Sequence, residues 1–449
     1  MNDSFCSIPF VSMMLNTDSS YRFCCIARGK TSAMRGEDNE YLRIGSNTIE
    51  DAWNSDTIKD IRKSMVEGRK IPACENCYLQ EEIGKKSYRQ MKTDEWQRRL
   101  GKNLDERIQY AKDNNYHINQ PPADLDLRLG NLCNLKCRMC NPMNSSQMAK
   151  EHFEVSQNKQ FYRAYKDEFG DSPNKEKLAD IMSSFEGNFM WDDIIGNIPH
   201  IKKVYMTGGE PTLIKNNYRF MEECIASGYA KDIELFFNIN CTNVTDRFID
   251  MTKHFGTVRI NASIDGFEGV NNYIRHPSKW FTIHVNFCRL IAEEHIILNV
   301  TPVVQIYNVY NLIHILDYIK FTADEDIGNK KNIGVDFLFN THPKFLDVNI
   351  LPDEIREVAL EKLYWFGEQK KEWIEKNWLT QNSMNGVVGL LKKDRDPNYE
   401  HHMNNFYRYT DSLDMHRKEK FEAVIPHLPN DLAKYHPRPS TRTEVKLDD

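Results

Sequence analysis

From residue 123 to residue 345 the chain alternates between short apolar strands and helical stretches, and this alternation constrains the fold most. Asp124-Leu125-Asp126-Leu127-Arg128-Leu129 alternates residue by residue, as a strand does when its two faces meet different surroundings, and Gly130 ends it. Further strands are predicted at 202–207, 233–239, 257–264, 297–304 and 333–339, with helices at 214–227, 246–254, 279–293 and 309–321. Strands separated by helices in this way pair in parallel through crossover connections. Six such units make a partial or full α/β barrel, with a charged helical insertion at 155–190.

The flanks have a different character. Residues 1–95 form a small cysteine-rich α+β domain: Phe10 to Leu15 and Tyr21 to Ile26 read as a hairpin turning at Asn16-Thr17-Asp18-Ser19-Ser20. Ile49 to Trp53 and Ile58 to Met65 have helical spacing, and 96–122 is a helix and linker. Residues 123–345 are the core, and 346–449 a C-terminal extension, helical from Pro352 to Trp373. Its last thirty residues are polar, with Pro426, Pro429, Pro437 and Pro439, and are expected to be an extended tail.

Composition excludes some roles. Net charge is −6 with both signs interspersed, so no general nucleic-acid partner is expected. No apolar run approaches the ~20 residues of a membrane span, and the N-terminus lacks a basic n-region, so a cytoplasmic location is expected. In a reducing compartment the 11 cysteines are better read as metal ligands or catalytic groups than as disulfides.

Three cysteines, Cys133, Cys137 and Cys140, follow the first core strand at spacing C-x3-C-x2-C. In α/β barrels chemistry sits on the loops after the strands. Three thiolates on a four-iron cluster leave one iron open, in the manner of catalytic metal sites; a structural zinc site needs four closed ligands, and the nearest histidine, His152, is far along the chain. Gly208-Gly209-Glu210-Pro211 ends the second strand, where two glycines admit a close ligand and Glu210 can accept from an ammonium. Thr242-Asn243 ends the third, Ser263-Ile264-Asp265-Gly266 and Arg275 follow the fourth, and Gln305 to Asn308 the fifth. Asp265 is a candidate cap for the helix after it. A second constellation, Cys6, Cys24-Cys25, Cys74 and Cys77, can supply four thiolates to a closed zinc site or to a second four-iron cluster, and spacing does not distinguish these.

The order of these motifs resembles the radical S-adenosylmethionine superfamily, although Met139 stands where family members usually place an aromatic residue. The resemblance implies a TIM-like partial (β/α)6 barrel whose [4Fe-4S] cluster, on Cys133, Cys137 and Cys140, binds S-adenosyl-L-methionine and cleaves it to a 5′-deoxyadenosyl radical. It implies that Gly208, Gly209 and Glu210 meet the cofactor's amino group, Ser263 a ribose hydroxyl and Arg275 the carboxylate. The first ninety-five residues are similar to the twitch half of SPASM/twitch domains, here preceding the barrel rather than following it. That similarity implies an auxiliary [4Fe-4S] cluster on Cys6, Cys24, Cys74 and Cys77, with Cys24 favoured over Cys25. A flavodoxin- or ferredoxin-like one-electron reductant is implied as partner. The expected substrate is a peptide or protein, with a small molecule as the alternative; the non-enzymatic alternative is a zinc-stabilised binding protein.

Overall fold

A computed structural model describes residues 4–27, 32–170, 174–325 and 332–438. Its strands are β1 (Ser12–Leu15), β2 (Tyr21–Arg22), β3 (Asp124–Leu127), β4 (Lys203–Met206), β5 (Glu234–Ile239), β6 (Thr257–Ala262), β7 (Ile296–Val300), β8 (Val303–Val304), β9 (Gly334–Val335) and β10 (Leu338–Phe339). One sheet of eight strands runs β2-β1-β3-β4-β5-β6-β7-β9. Every pairing in it is parallel except the β1–β2 hairpin. Helices occupy the crossovers, including Lys215–Ala226, Asp246–Thr252, Trp280–Ala292 and Leu312–Glu325. The fold is α/β, and all six predicted core strands are present. Two of them divide: Pro302, with no N–H for the ladder, separates β7 from β8, and the last separates into β9 and β10. No helix among the described residues is long and apolar enough to cross a membrane.

Three expectations change. The N-terminal segment is not separate from the core sheet, because β1 pairs in parallel with β3, Ser12 to Asp124 through Leu15 to Leu127. Met13 and Leu15 are fully buried there, and β1 covers backbone groups that β3 would otherwise present as an edge. The hairpin is also shorter than expected, since residues 8–11 are helical and pairing ends at Arg22. At the other end, the supposed tail folds. Phe421–Val424 and Leu428–Tyr435 are helices, and Leu428 and Leu432 are buried. Pro429 sits in the first turn, where its missing N–H costs nothing. Pro439 lies outside the described residues.

The sheet has two unlike faces. Val258, Ile260 and Ala262 of β6 are buried in the apolar core, while Arg259 and Asn261 point the other way. The same alternation on β4 and β5 sends Lys203, Tyr205, Phe236 and Asn238 to that second face. Helix Tyr88–Leu100 lies across it over a cavity of about 1080 Å³, lined also by Lys92, Glu95 and Thr301. Parallel sheets are ordinarily apolar on both faces; here one face is given to polar groups.

The insertion and the C-terminal extension pack together through helices Lys159–Phe169 and Tyr399–Arg417. Glu168 fastens this contact, accepting from the Lys344 backbone N–H at 2.6 Å and facing His402 at 3.3 Å and His342 at 3.4 Å. Burial opposes its charge, but bonds from His342, His402 and Lys344 outweigh burial and hold its carboxyl down at about 2. Glu168→Gln should therefore cost roughly 2 kcal/mol near neutral pH. A carboxyl held below its unfolded value adds stability above that value and loses it on acidification. Thermal unfolding should thus show the wild-type advantage in full above about pH 4.5, fading toward pH 2.

Candidate functional site

The loop after β3 is built to hold three thiols. Gly130, at φ 134°, turns the chain out of the strand. The hydroxyl of Ser146 accepts from Cys133 N–H at 3.2 Å, and Ser145 donates to the Leu135 carbonyl at 2.6 Å while capping helix Ser146–Val155. Leu135 N–H donates to the Cys133 sulfur at 3.4 Å, and Cys140 N–H closes a turn on Cys137 O at 2.9 Å. Cys137 is buried, Cys133 and Cys140 half-buried. Burial, then the neighbouring Cys137, pushes the Cys133 thiol up to about 12; burial and the other two thiols raise Cys140 as well. The three sulfurs therefore sense one another, and any metal binding them displaces protons. Among the described residues, no three His, Cys, Asp or Glu side chains are gathered to hold a single metal ion.

The loop after β4 is joined to this one through the backbone. Gly209 N–H donates to Gly130 O at 3.1 Å and Glu210 N–H to Leu132 O at 2.8 Å. A Cβ on Gly209 would stand 2.2 Å from Leu132 O, so only glycine fits. Gly208 is at φ 108°, where an L side chain is strained. Glu210 is buried and accepts from Thr212 Oγ1 at 2.7 Å and from Asn240 N–H at 2.8 Å. Burial raises its carboxyl to about 7 against those bonds. Asn134, between the cysteines, donates to Thr242 Oγ1 at 2.8 Å and accepts from Asn240 Nδ2 at 3.0 Å. The end of β5 thus bonds the cysteine loop too, whereas Asn243 spends its amide on Thr212 O.

Beyond β6, Ser263 is half-buried and its N–H continues the ladder to Ile239 O at 2.8 Å. Asp265 does not cap the following helix. It is fully buried, accepts from Val303 N–H at 2.7 Å and pairs with Arg275 Nε at 2.7 Å. Arg275 Nη1 reaches toward Cys137 Sγ at 3.9 Å. Asn308 is structural, donating to the carbonyls of Asp265 and Val303. Sequence reasoning missed the groups on the far side of the loop. Arg138 is fully buried, with Nη2 at 2.6 Å from Asp414 and 2.8 Å from Glu419 and its guanidinium 3.6 Å over the Tyr273 ring. Tyr409 donates to Arg138 O at 2.7 Å, and Arg417 to Lys136 O at 2.6 Å. A basic residue between two cysteines was the one available signal; partners some 270 residues away gave none.

The N-terminal cysteines also converge. Cys6, Cys24, Cys74 and Cys77 line one small cavity, with Phe23, Tyr88 and Arg89. Cys25 faces the other way, toward Tyr88 OH at 3.5 Å, and lines the large polar cavity. The backbone N–H groups of Ile8 and Arg89 oppose the rise that burial causes at Cys6 and Cys77. Burial pushes Cys74 to about 11 and Cys77 to about 12.

No family model matches the chain, and no curated protein matches it. Among solved structures it is similar to native anSMEcpe with bound AdoMet, at 14% identity and TM-score 0.37, covering 57% of this chain and 62% of that one. It is also similar to Streptococcus suis SuiB bound to S-adenosylmethionine, at 13% identity and TM-score 0.34, covering 71% and 63%. The chain thus spans less than two thirds of the length of these structures. Both likenesses are distant.

Gly209→Ala should force the two loops apart, at a cost of roughly 1–3 kcal/mol. In metal-free protein, alkylation of Cys133, Cys137 and Cys140 should then run on the order of tenfold faster than in wild type. An unchanged rate would mean that the loops do not depend on this contact.

Proposed function

We propose that the chain is a radical S-adenosylmethionine enzyme acting on a peptide or protein. The observation that carries this reading is the joining of three neighbouring thiols to the Gly208-Gly209-Glu210 loop, with Arg275 beside Cys137. Cys133, Cys137 and Cys140 would hold a [4Fe-4S] cluster that binds S-adenosyl-L-methionine and supplies one-electron cleavage to a 5′-deoxyadenosyl radical. The donor set suits it: three neighbouring thiols, with Leu135 N–H on the Cys133 sulfur and the Arg275 guanidinium near that of Cys137. Glu210 accepts from the cofactor's ammonium, and the close backbone at Gly208 and Gly209 admits it. Ser263 bonds a ribose hydroxyl. Arg275 presents its guanidinium edge to the carboxylate. A partial barrel spanning residues 123–345 carries these groups on its strand ends.

The four cysteines of the N-terminal twitch-like unit fit an auxiliary [4Fe-4S] cluster: one cavity takes Cys6, Cys24, Cys74 and Cys77 and excludes Cys25. A flavodoxin- or ferredoxin-like protein supplies electrons. The cavity on the polar face of the sheet, about 1080 Å³, lies at the upper end of the about 300–1,000 Å³ usual for small-molecule pockets and has room for a peptide side chain as for a small molecule.

Anaerobic reconstitution should give about eight irons per chain, and reduction with S-adenosyl-L-methionine should release 5′-deoxyadenosine. Changing Cys133, Cys137 and Cys140 to Ala should abolish that release, whereas Cys74→Ala with Cys77→Ala should lose about four irons. Zinc in place of iron, or cleavage surviving the triple change, would refute the reading.

A further inference from the structure

The buried ion cluster around Arg138 ties the cysteine loop to a second segment beside Cys137. That segment is 273–276, which carries Arg275. Arg138 Nε donates to Tyr273 O at 3.0 Å, and Arg138 N–H to Ile274 O at 2.9 Å. Lys136 N–H donates to His276 O at 2.7 Å. The two acids complete the tie from the C-terminal segment: Asp414 accepts from Arg138 and, at 2.8 Å, from Tyr273 OH, while Glu419 holds Arg138 and His276 Nδ1 at 2.6 Å. Lys418, at φ 56°, turns the chain between the helix that ends at Arg417 and Glu419.

Such a cluster is a costly way to gain stability, because apolar packing of the same volume usually serves as well. Its geometry does something packing does not: it fixes one backbone against another to within a hydrogen bond. Arg275 is then held from two sides, by Asp265 on its Nε and by the anchored segment behind it, with Nη1 facing Cys137 Sγ.

We propose that Arg138, Asp414 and Glu419 are positioning residues that set the Arg275–Cys137 contact, and that this contact raises the reduction potential of the cluster on the cysteine loop. The proposal rests on reading that loop as a cluster site. Reduction adds negative charge to the cluster and its thiolates, so a guanidinium N–H on one sulfur favours the reduced form, and more so out of water. The C-terminal extension is thereby part of the reducing centre.

The test is an EPR-monitored redox titration of the full reconstituted protein without S-adenosyl-L-methionine, following the signal that this molecule perturbs in the wild type. Arg275→Met should shift the midpoint to more negative potential. Glu419→Gln should shift it in the same direction by a smaller amount, with iron content unchanged. The sign is decisive, since loss of a nearby acid acting only through space would raise the potential. Arg438→Ala, which breaks ion pairs to Asp411 and Glu422 elsewhere in the same extension, should leave it unmoved. Arg138→Lys adds a charge-conserving variant of the central residue and should behave as Glu419→Gln does. A Glu419→Gln protein that retains its iron and titrates at or above the wild-type potential overturns the proposal, whatever its thermal stability. A wild type with no signal responsive to S-adenosyl-L-methionine overturns the cluster reading itself.

Discussion

The parallel ladder between β3 and β4 continues past the ends of the strands, and the candidate site is assembled on that continuation. Thr207 N–H bonds Leu127 O, Gly209 bonds Gly130, and Glu210 bonds Leu132, so the two loops stay bonded backbone to backbone beyond the strands while the register of the sheet slips. A single Cβ at Gly209 would break the series, because Leu132 O occupies its place. These bonds bring Glu210 near enough for its charge to act on Cys133. Asn134 repeats the arrangement one strand further on, joining the cysteine loop to the end of β5. Strand order, rather than any one side chain, is what gathers residues from positions 133, 210, 242 and 275.

Charge is used against its usual cost in two places. Around Arg138 a buried guanidinium with two acids fixes the cysteine loop to the C-terminal helix. Under helix Tyr88–Leu100, Lys92, Glu95, Lys203, Glu234 and Arg99 form a partly buried chain between that helix and the polar face of the sheet. Glu95, opposed by burial, is held well below the usual carboxylate range by Lys92 and Lys203. Neither network is required by a parallel sheet as such. Both place a neighbouring segment against the core where apolar packing alone would leave its register loose.

Much of this was legible in the sequence, and the reasons are local. Alternation in Asp124 to Leu129 reported a strand with one polar face, and the glycine pair at 208–209 reported a close backbone approach; each needs only neighbouring residues to read. What escaped depended on distant partners. Asp265 looked like a helix cap because Asp often is one, and only the fold brings Arg275 and Val303 to it. Four prolines suggested an extended tail, yet Leu428 and Leu432 find a buried surface that composition does not reveal. Spacing left Cys24 and Cys25 equivalent; the short hairpin turns one toward Cys6, Cys74 and Cys77 and the other toward Tyr88. β1 read as half of an isolated hairpin, because nothing in Ser12 to Leu15 announces that its second neighbour is β3.

The central claim is that the three-cysteine loop leaves one metal position open to a ligand from outside the protein. Mössbauer spectroscopy of protein reconstituted with ⁵⁷Fe, with and without S-adenosyl-L-methionine, tests it most directly. The account predicts that one iron of a single cluster changes its isomer shift when the molecule is added, while the other irons do not. Spectra that are identical in its presence and absence, from protein that has taken up iron at the loop, would contradict it.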